Sequence, residues 1–346
     1  MADGGRNGYV SHDVRLARQR TRTMRYAFLM LAAMASAAPL SAAGPGPDPT
    51  QTRPQQSDWT ARDHIPLKQF IVQSHRGAGD LAPENTLEAF ELGWKLGTWP
   101  ECDVRTTRDG VIVAFHDATF ERVVRGVPPE LAKKGVKDVT FEQLSRLDVG
   151  AWKGEGFVGR HVCRISDVFA LMQGRPERRL YLDIKNVDLA QLAKDVLRHE
   201  VGPQVVLAST DYEIIREWNR LVPKGQTQLW MGGTEDTLRK RIDDLRKTGF
   251  AGVSQLQIHV HLKRGADPAG PDPFTPSSAF LVEAGREARS HGIVFQVLPW
   301  GVVAPRVYGR LLDLGVMSFA TDRPDITLDA VARYYGGPNA SRPVAR

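Results

Sequence analysis

Three carboxylates stand at the ends of apolar stretches in this sequence, where their side chains can meet. Glu101 and Asp103 lie two residues apart in "ECDV", and Asp183 follows "LYL". Alternate residues of a strand share one face, so the first two side chains point the same way. Neighbouring carboxylates repel one another unless a cation lies between them, and an all-oxygen ligand set favours Mg²⁺, Ca²⁺ or Mn²⁺ over Zn²⁺. The spacing therefore predicts a divalent metal site, with Ca²⁺ or Mg²⁺ as the expected ion.

Two histidines and two cationic side chains complete this set of polar strand ends. His75 and Arg76 follow "FIVQ", His116 follows "VIVAF", and Lys185 lies two residues after Asp183. Imidazole titrates near neutral pH and can act as a general acid or base, whereas Arg and Lys neutralise a phosphoryl group. Each of these residues alone is more often structural or solvated than functional. Their coincidence at four strand ends favours metal-assisted cleavage of a phosphodiester.

Apolar strand-like stretches alternate with amphipathic helical stretches from residue 67 onward, which is typical of a (β/α)₈ TIM barrel or a doubly wound sheet. The nine candidate strands are 70–74, 101–104, 111–115, 180–184, 205–208, 227–231, 251–254, 293–298 and 317–320. An eight-stranded barrel has no place for one of them. Because the turn signal Asp109-Gly110 precedes 111–115, we predict that this strand belongs to a short excursion after the second strand. The polar strand ends then meet at one mouth of a single-domain barrel.

The N-terminal region has the pattern of a secretory signal peptide. Residues 1–43 contain an Arg-rich run, an apolar stretch and small residues before a cleavage point after Ala43. The apolar stretch is too short for a membrane span, so we expect an exported protein, periplasmic, secreted or envelope-associated, with no stable membrane insertion of the mature chain. A retained N-terminal anchor and a later start at Met24 are the alternatives.

The distribution of charge along the chain bears on whether the protein binds nucleic acid. Residues 1–43 carry six arginines and two aspartates, so most of the formal charge of +6 belongs to them and the rest is nearly neutral. A nucleic-acid partner therefore has little support.

The Pro- and Gly-rich residues 44–66 are expected to form a flexible lead-in, residues 67–335 the barrel, and residues 336–346 a C-terminal tail. The sequence leaves the oligomeric state open.

Four further residues are of types that bind metals or form cross-links. Cys102 and Cys163 are too few for a thiolate metal site, although a disulfide between them is compatible with an oxidising compartment. His259 and His261 share a strand face in "QIHVHL", but no carboxylate accompanies them. We therefore interpret these two histidines as structural.

Five segments together resemble the glycerophosphodiester phosphodiesterase family, in that family's order and approximate spacing, over roughly residues 70–330. They are "SHRGAGDLAPENTLEAF", "PECDVRTTRDGVIVAFHDATFERV", "VTFEQLSRLDVGAW", "LYLDIK" and "LLDLGVMSFATDRPD". The resemblance implies a (β/α)₈ barrel with a divalent metal. It also implies hydrolysis of glycerophosphodiesters, the small-molecule substrates, to glycerol 3-phosphate and an alcohol.

The resemblance also implies roles for individual residues. His75 and His116 match the two catalytic histidines of the family, and Glu101 and Asp103 match its metal-binding acids. Arg76 matches the arginine that contacts phosphate. The "ENT" element at residues 84–86 is expected to open a helix and order the mouth.

Two positions depart from the family pattern. Asp183, the expected third metal ligand, stands where the family most often has a glutamate, although Lys185 keeps the lysine that follows it. An aspartate there is similar to the related spider-type phospholipase D enzymes. The strand end "FQVLPWGV" is also altered, and Trp300 is expected to supply the aromatic wall of the substrate pocket. One alternative is therefore a phospholipase D-like enzyme acting on (lyso)phospholipid head groups. A further alternative is a non-catalytic phosphate-ester binding protein, for which we would expect the loss of at least one histidine or acid, and none is lost here.

Overall fold

A closed barrel of parallel strands, surrounded by helices, forms the body of the protein. The computed structural model describes residues 55–336. The strands in these residues are β1 (Ile71–Ser74), β2 (Trp99–Thr106), β3 (Ile112–Ala114), β4 (Leu180–Asn186), β5 (Val205–Ser209), β6 (Gln226–Met231), β7 (Gln255–Leu262), β8 (Phe274–Thr275), β9 (Val294–Pro299) and β10 (Ser318–Thr321). Eight of them run parallel, and β1 closes the barrel by pairing with both β2 and β10. The predicted (β/α)₈ architecture is confirmed.

The helices cover the outside of the barrel and bury their apolar faces against the strands. They are α1 (Ala61–His64), α2 (Leu87–Lys95), α3 (Phe141–Leu144), α4 (Ile165–Met172), α5 (Leu189–Arg198), α6 (Tyr212–Leu221), α7 (Glu235–Lys247), α8 (Ser278–Ser290), α9 (Pro305–Asp313) and α10 (Pro324–Gly336). Several begin where a side-chain oxygen accepts a hydrogen bond from a first-turn backbone N–H, as at Thr86, Asp188, Thr234 and Ser277. Each such cap is worth about 1 kcal/mol and marks where a barrel loop ends.

The strand at 111–115 forms the predicted excursion. β3 pairs antiparallel with β2, with Val104 opposite Ala114 and Thr106 opposite Ile112, while β4 continues the parallel barrel. We call residues 107–163 the excursion. Its apolar side chains, including Phe115 and Phe120, form a buried cluster of their own. The excursion is therefore packed as a small unit beside the barrel mouth.

The sixth parallel strand, β7, begins later than the sequence suggests. The prediction of a strand over 251–254 is wrong, because Phe250 and Gly252 have positive φ angles of 57° and 80° and the extended backbone starts at Gln255. The actual strand β7 contains "QLQIHVHL", whose alternation fits a strand with polar residues on one face and apolar residues on the other. His259 therefore lies near the carboxyl end of a barrel strand.

Glutamines fill the barrel interior below the mouth. Gln73 Oε1 accepts hydrogen bonds from Gln228 Nε2 and Gln257 Nε2, both at 3.2 Å. Gln296 Oε1 accepts from the same two donors, at 2.8 Å from Gln228 Nε2 and 2.5 Å from Gln257 Nε2. All four side chains are buried, so the amides satisfy one another where most barrels have branched aliphatic residues. We call these four residues the glutamine floor.

The predicted signal peptide, lead-in and C-terminal tail lie wholly or partly outside the described residues. The predicted signal peptide lies outside the described residues, as does all but the first residue of the predicted C-terminal tail. The last part of the predicted lead-in is packed rather than free, because Ser57 N donates to Asp313 O at 2.9 Å and Arg289 lies over the Trp59 ring. Within residues 55–336, no helix combines the length and apolarity needed to cross a bilayer.

The two cysteines are buried and unpaired in the described structure. Burial raises the pKa of the Cys163 thiol to about 12, and it also raises the pKa of the Cys102 thiol. Both groups are thus held as neutral thiols in the apolar interior. The disulfide considered above is not formed in this structure.

Candidate active site

Two neighbouring strands bring the three predicted metal ligands together. Glu101 and Asp103 lie on β2, Asp183 lies on β4, and the parallel register places Asp103 opposite Asp183. One carboxylate oxygen from each residue lies within 4.8 Å of the others. Glu101 and Asp103 are almost completely buried. Because like charges at this spacing repel in a poorly solvated site, the cluster needs a compensating positive charge.

Glu101 is the least compensated of the three acids. Its Oε2 accepts a hydrogen bond from the Arg76 backbone N–H at 2.6 Å, whereas its buried Oε1 has no hydrogen-bond partner among the described residues. Burial and the nearby charge of Asp103 raise the pKa of Glu101 to about 8. A divalent cation would supply the missing partner and remove the repulsion. The all-oxygen donor set of this cluster therefore fits a hard divalent metal ion.

Lys185 supplies part of the compensating charge. Its Nζ lies 2.8 Å from Asp183 Oδ2 and 3.2 Å from Asp103 Oδ1. Burial alone would lower the pKa of Lys185, but the charges of Asp183 and Asp103 outweigh it and raise that pKa. Asp103 is further held by Asn85, whose Nδ2 donates to Asp103 Oδ2 at 2.8 Å and whose Oδ1 accepts from Asp103 N. The cluster is thus rigidly oriented from two sides.

His75 is oriented by an acid from the last barrel strand. It follows β1, and its Nδ1 lies 2.7 Å from Oδ1 of Asp322, which follows β10. Its Nε2 lies 4.0 Å from Glu101 Oε2. Burial opposes protonation of this imidazole, but the hydrogen bond to Asp322 and the charge of Glu101 prevail and raise the pKa of His75. The ring nitrogen that faces the acids is therefore positioned for proton transfer.

His116 is oriented in a similar way by its neighbour in the chain. Its Nδ1 lies 2.6 Å from Asp117 Oδ1, and Arg122 Nε donates to Asp117 Oδ2 at 2.5 Å. The backbone carbonyl of His116 accepts two hydrogen bonds from the Arg105 guanidinium, at 3.0 and 2.7 Å. Since Arg105 belongs to β2, these bonds tie the part of the excursion that follows β3 to the strand that carries Glu101 and Asp103.

A left-handed turn aims the Arg76 backbone at Glu101. Arg76 has a φ of 52°, a conformation that non-glycine residues rarely adopt, and this turn directs its N–H to Glu101. Gly79, with a φ of 58°, completes the turn, and a Cβ there would lie 2.1 Å from the Asp322 carbonyl oxygen. Gly79, the second glycine in "HRGAG", therefore permits the close approach of the loop after β1 to the loop after β10.

Glu84 links the two histidine regions through two arginines. Arg76 Nη1 donates to both oxygens of Glu84, at 3.2 and 3.0 Å. Arg122 binds the same carboxylate in a bidentate manner, at 2.7 and 2.6 Å. The chain Arg76–Glu84–Arg122–Asp117 thus connects the loop after β1 with His116. It fixes the excursion against the barrel mouth.

A cleft of about 550 Å³ opens above the acidic cluster and the glutamine floor. We call it the inner cleft. Seven of the eight site residues predicted from the sequence line this cleft: His75, Arg76, Glu101, His116, Asp183, Lys185 and Trp300. The eighth, Asp103, is buried beneath it. The structure therefore brings all eight to one place.

Aromatic rings form one wall of the inner cleft. Trp300 meets His75 edge-on at 5.8 Å and His259 edge-on at 5.4 Å, while Trp230 stacks on His259 at 5.0 Å. Burial and the charge of His261 lower the pKa of His259 to about 4, so this ring is neutral near pH 7. Trp230 Nε1 also donates to Asp183 Oδ1 at 3.3 Å. Trp300 thus occupies the place expected for an aromatic wall, and Trp230 and His259 extend it.

Several residues of this site were not identified from the sequence. The sequence interpretation of His259 was incomplete, because the strand that carries it was placed four residues too early. Asp322 immediately follows the last strand in "ATDRP", and Asp117 follows a candidate catalytic histidine, so both occupied positions that signalled a role. Arg122 and Trp230 carried no such signal.

The sequence matches one family model over most of the described region. Residues 75–326 match the model of the glycerophosphoryl diester phosphodiesterase family. A glycerophosphodiester phosphodiesterase from Caldanaerobacter subterraneus is 25% identical over 270 residues, which cover 76% of this chain and 98% of that protein. A glycerophosphodiester phosphodiesterase from Bacillus subtilis is 26% identical over 277 residues, covering 74% of this chain and 85% of the relative.

Solved structures show the same architecture. A putative glycerophosphoryl diester phosphodiesterase from Silicibacter pomeroyi has a TM-score of 0.59 and 25% identity, covering 76% of this chain and 93% of that one. An Oleispira antarctica phosphodiesterase in complex with the product sn-glycerol-3-phosphate has a TM-score of 0.55 and 21% identity, covering 79% of this chain and 99% of that one. The match over residues 75–326, together with this fold, places the chain in the glycerophosphoryl diester phosphodiesterase family.

Proposed function

We propose that this protein hydrolyses glycerophosphodiesters to glycerol 3-phosphate and an alcohol, with a divalent metal and two histidines at the barrel mouth. One observation carries the proposal. One carboxylate oxygen from each of Glu101, Asp103 and Asp183 lies within 4.8 Å of the others, at the base of a cleft that His75 and His116 both line. Family membership supports the same reaction class, and the product complex of the Oleispira antarctica phosphodiesterase supports glycerol 3-phosphate as the product.

Glu101, Asp103 and Asp183 would hold the metal ion, for which Ca²⁺ and Mg²⁺ are the expected choices. When bound, the cation supplies positive charge that polarises the phosphoryl oxygens. The unpartnered Oε1 of Glu101 and the raised pKa of its carboxyl support this assignment. Asp183 is shorter than the glutamate common at this position, and its Oδ1 and Oδ2 are held by Trp230 and Lys185.

The two histidines would divide the proton transfers. Each ring donates a hydrogen bond through Nδ1 to a carboxylate, His75 to Asp322 and His116 to Asp117, which leaves each Nε2 for the substrate. One imidazole promotes attack on phosphorus, by water or by a glycerol hydroxyl, and the other protonates the leaving alkoxide.

The remaining groups of the inner cleft suit the rest of the substrate. The guanidinium of Arg76 and the ammonium of Lys185 line the cleft beside the acids and would neutralise phosphate oxygens. Gln73, Gln228 and Gln257 line the same cleft and offer amide groups that suit the hydroxyls of glycerol. Trp300 would cover an apolar edge of the substrate.

We also propose export from the cytoplasm, on the strength of the signal-like pattern in residues 1–43. Fractionation of cells that produce the full chain tests it. We expect the protein outside the cytoplasm with its N-terminus beginning at residue 44. Recovery of the full-length chain in the cytoplasm would contradict this proposal.

Product identification tests the reaction itself. Purified protein with added Mg²⁺ or Ca²⁺ is incubated with glycerophosphocholine, glycerophosphoethanolamine and lysophosphatidylcholine, and the products are followed by ³¹P NMR. We expect glycerol 3-phosphate from the first two compounds. A new phosphorus signal from lysophosphatidylcholine that has lost its choline, without turnover of the glycerophosphodiesters, would favour the phospholipase D-like alternative instead.

A further inference from the structure

A second cleft, of about 600 Å³, adjoins the inner cleft. We call it the outer cleft. His75, Arg76 and Trp300 line both clefts, so a ligand bound at the acidic cluster can extend from one to the other past these three residues. The outer cleft lacks the metal ligands of the inner cleft. It therefore suits the part of a phosphodiester that leaves, rather than the phosphoryl group.

The excursion supplies the far wall of the outer cleft. Arg122, Trp152 and Lys153 line it, opposite Asp80 and Asp322 from the barrel loops. Trp152 is fixed there because its Nε1 donates to Val149 O at 2.9 Å. These residues come from a segment that the proposed reaction uses only through His116 and its partners.

The cations of this wall differ in how strongly they are paired. Arg122 is bound to Glu84 and Asp117 through all of its guanidinium nitrogens. Lys153 is different, because within residues 55–336 the carboxylate oxygen nearest to its Nζ is Asp80 Oδ1, at 3.8 Å and beyond hydrogen-bond distance. The Lys153 side chain is only 20% exposed. A mostly shielded ammonium that forms no hydrogen bond with a carboxylate of the described residues offers a binding group for an anionic oxygen.

The aromatic ring of this wall is already occupied by the protein's own cations. Lys153 Nζ lies 5.3 Å from the Trp152 ring centroid, and the Arg122 guanidinium lies 6.0 Å from it. A quaternary ammonium group normally binds to such a ring through its face. Here it would meet two like charges, so the outer cleft disfavours choline at this wall.

We propose that the outer cleft binds the leaving alcohol and that Lys153 selects head groups carrying an anionic oxygen, such as a carboxylate or a second phosphate. This inference rests on the proposed function, because it assigns a specificity determinant for that reaction. The glycerol part then lies over the glutamine floor of the inner cleft. The head group lies against Lys153 and Trp152.

Two substrates that differ by one carboxylate test this proposal. Glycerophosphoserine is glycerophosphoethanolamine with an added carboxylate, so the ratio of their kcat/KM values measures recognition of that group. We expect the wild-type protein to prefer the serine ester. Lys153→Met removes the ammonium and keeps most of the stem, and we expect it to lower the ratio about tenfold, the usual worth of one charge-assisted hydrogen bond.

Two further variants keep the result interpretable. Lys153→Arg retains the positive charge and should keep the ratio within about threefold of wild type, since Arg and Lys both bind carboxylates. Lys133→Met makes the same change at an exposed lysine of the excursion that lines neither cleft, and the ratio should not move. Thermal unfolding of each variant verifies that it is folded.

The outcomes separate this inference from the proposed function. A Lys153→Met variant with the wild-type ratio, or a wild-type protein that prefers the ethanolamine ester, would overturn the role of Lys153 while glycerol 3-phosphate is still released. A wild-type protein that releases glycerol 3-phosphate from neither ester would overturn the proposed function, and the subsite with it.

Discussion

His75 Nδ1 lies 2.7 Å from Asp322 Oδ1, which joins the loop after the first barrel strand to the loop after the last. β1 and β10 are hydrogen-bonded neighbours, so the pair spans the seam where the barrel closes. The contact turns the other ring nitrogen toward Glu101 and the inner cleft. A carboxylate in this position orients the imidazole and favours its protonated form.

Replacing the carboxylate of Asp322 should weaken both effects. We expect Asp322→Asn to lower the pKa of His75 in the metal-free protein, because burial still disfavours the charged ring while the acid that offset it is gone. Turnover should fall about 10- to 100-fold, as for other groups that orient a catalytic residue. NMR titration of the histidines measures the pKa. In Asp117→Asn, which changes the partner of His116, the His75 titration should stay in place, and a shift of equal size there would contradict the pairing.

Loss of either histidine should remove most of the activity. We expect His75→Ala and His116→Ala each to reduce kcat by about 10²- to 10⁴-fold, the usual contribution of a general acid or base. The double variant should lose less than the product of the two single effects, because the two groups act in one step. His261→Ala, at an exposed histidine outside the inner cleft, is the control. Near wild-type rates in the double variant would contradict the proposed mechanism.

The acidic cluster predicts an unusual dependence of stability on pH. Burial and Asp103 raise the pKa of Glu101 in the folded, metal-free protein to about 8, from an ordinary value of 4.5. Between these values the folded state holds a proton that the unfolded state has released, so the free energy of unfolding should fall as pH rises from about 4.5 to 8. Added Mg²⁺ or Ca²⁺ should restore stability at the upper end of this range.

Glu101→Gln isolates that effect. The variant carries no titrating carboxyl at this position, so we expect its unfolding midpoint to depend less on pH and to rise less when metal is added. Thermal unfolding at several pH values, with and without chelator, measures both quantities. Identical pH profiles for the variant and the wild type would show that Glu101 does not carry the effect.

The link through Glu84 should hold the excursion against the barrel. Glu84→Gln leaves the two guanidinium groups of Arg76 and Arg122 close together without a shared anion. We expect the free energy of unfolding to fall by about 2 kcal/mol, the usual cost of losing hydrogen bonds to a charged group, because Glu84 is only 11% exposed although Arg122 is 41% exposed. Hydrogen exchange should also quicken in residues 116–125. Glu142→Gln, which breaks an exposed pair with Arg146 in the same excursion, should cost less than about 1 kcal/mol. Equal losses in the two variants would contradict a special role for Glu84.

The barrel was predictable because its strands are mostly apolar and separated by amphipathic helices. The excursion was predictable for a local reason, the Asp109-Gly110 turn that reverses the chain between β2 and β3. β7 was placed wrongly because its inward residues Gln255 and Gln257 are polar, so the alternation of its sequence did not resemble a buried barrel strand. Their burial depends on partners from other strands, which no local pattern reveals.

The candidate site also contains residues that the sequence could predict and residues that it could not. The eight residues proposed from the sequence were recognisable because strand ends of a barrel converge, whatever the details of the loops. Asp322 and Arg122 act through partners distant in sequence, His75 and Glu84. The position of Asp322 after a strand indicated a role, but its partner and that of Arg122 are visible only in three dimensions. Lys153 became notable for the weakness of its pairing, a property that a sequence does not contain.

The most direct test of the central claim is the rate of glycerol 3-phosphate release from glycerophosphoethanolamine before chelation, after chelation and after return of Mg²⁺ or Ca²⁺. We expect turnover by the wild-type protein, its loss with chelator and its recovery with metal, and no recovery in Glu101→Gln, which lacks a metal ligand. Turnover that persists in chelator and is unchanged by Glu101→Gln would contradict a metal-dependent reaction at this cluster.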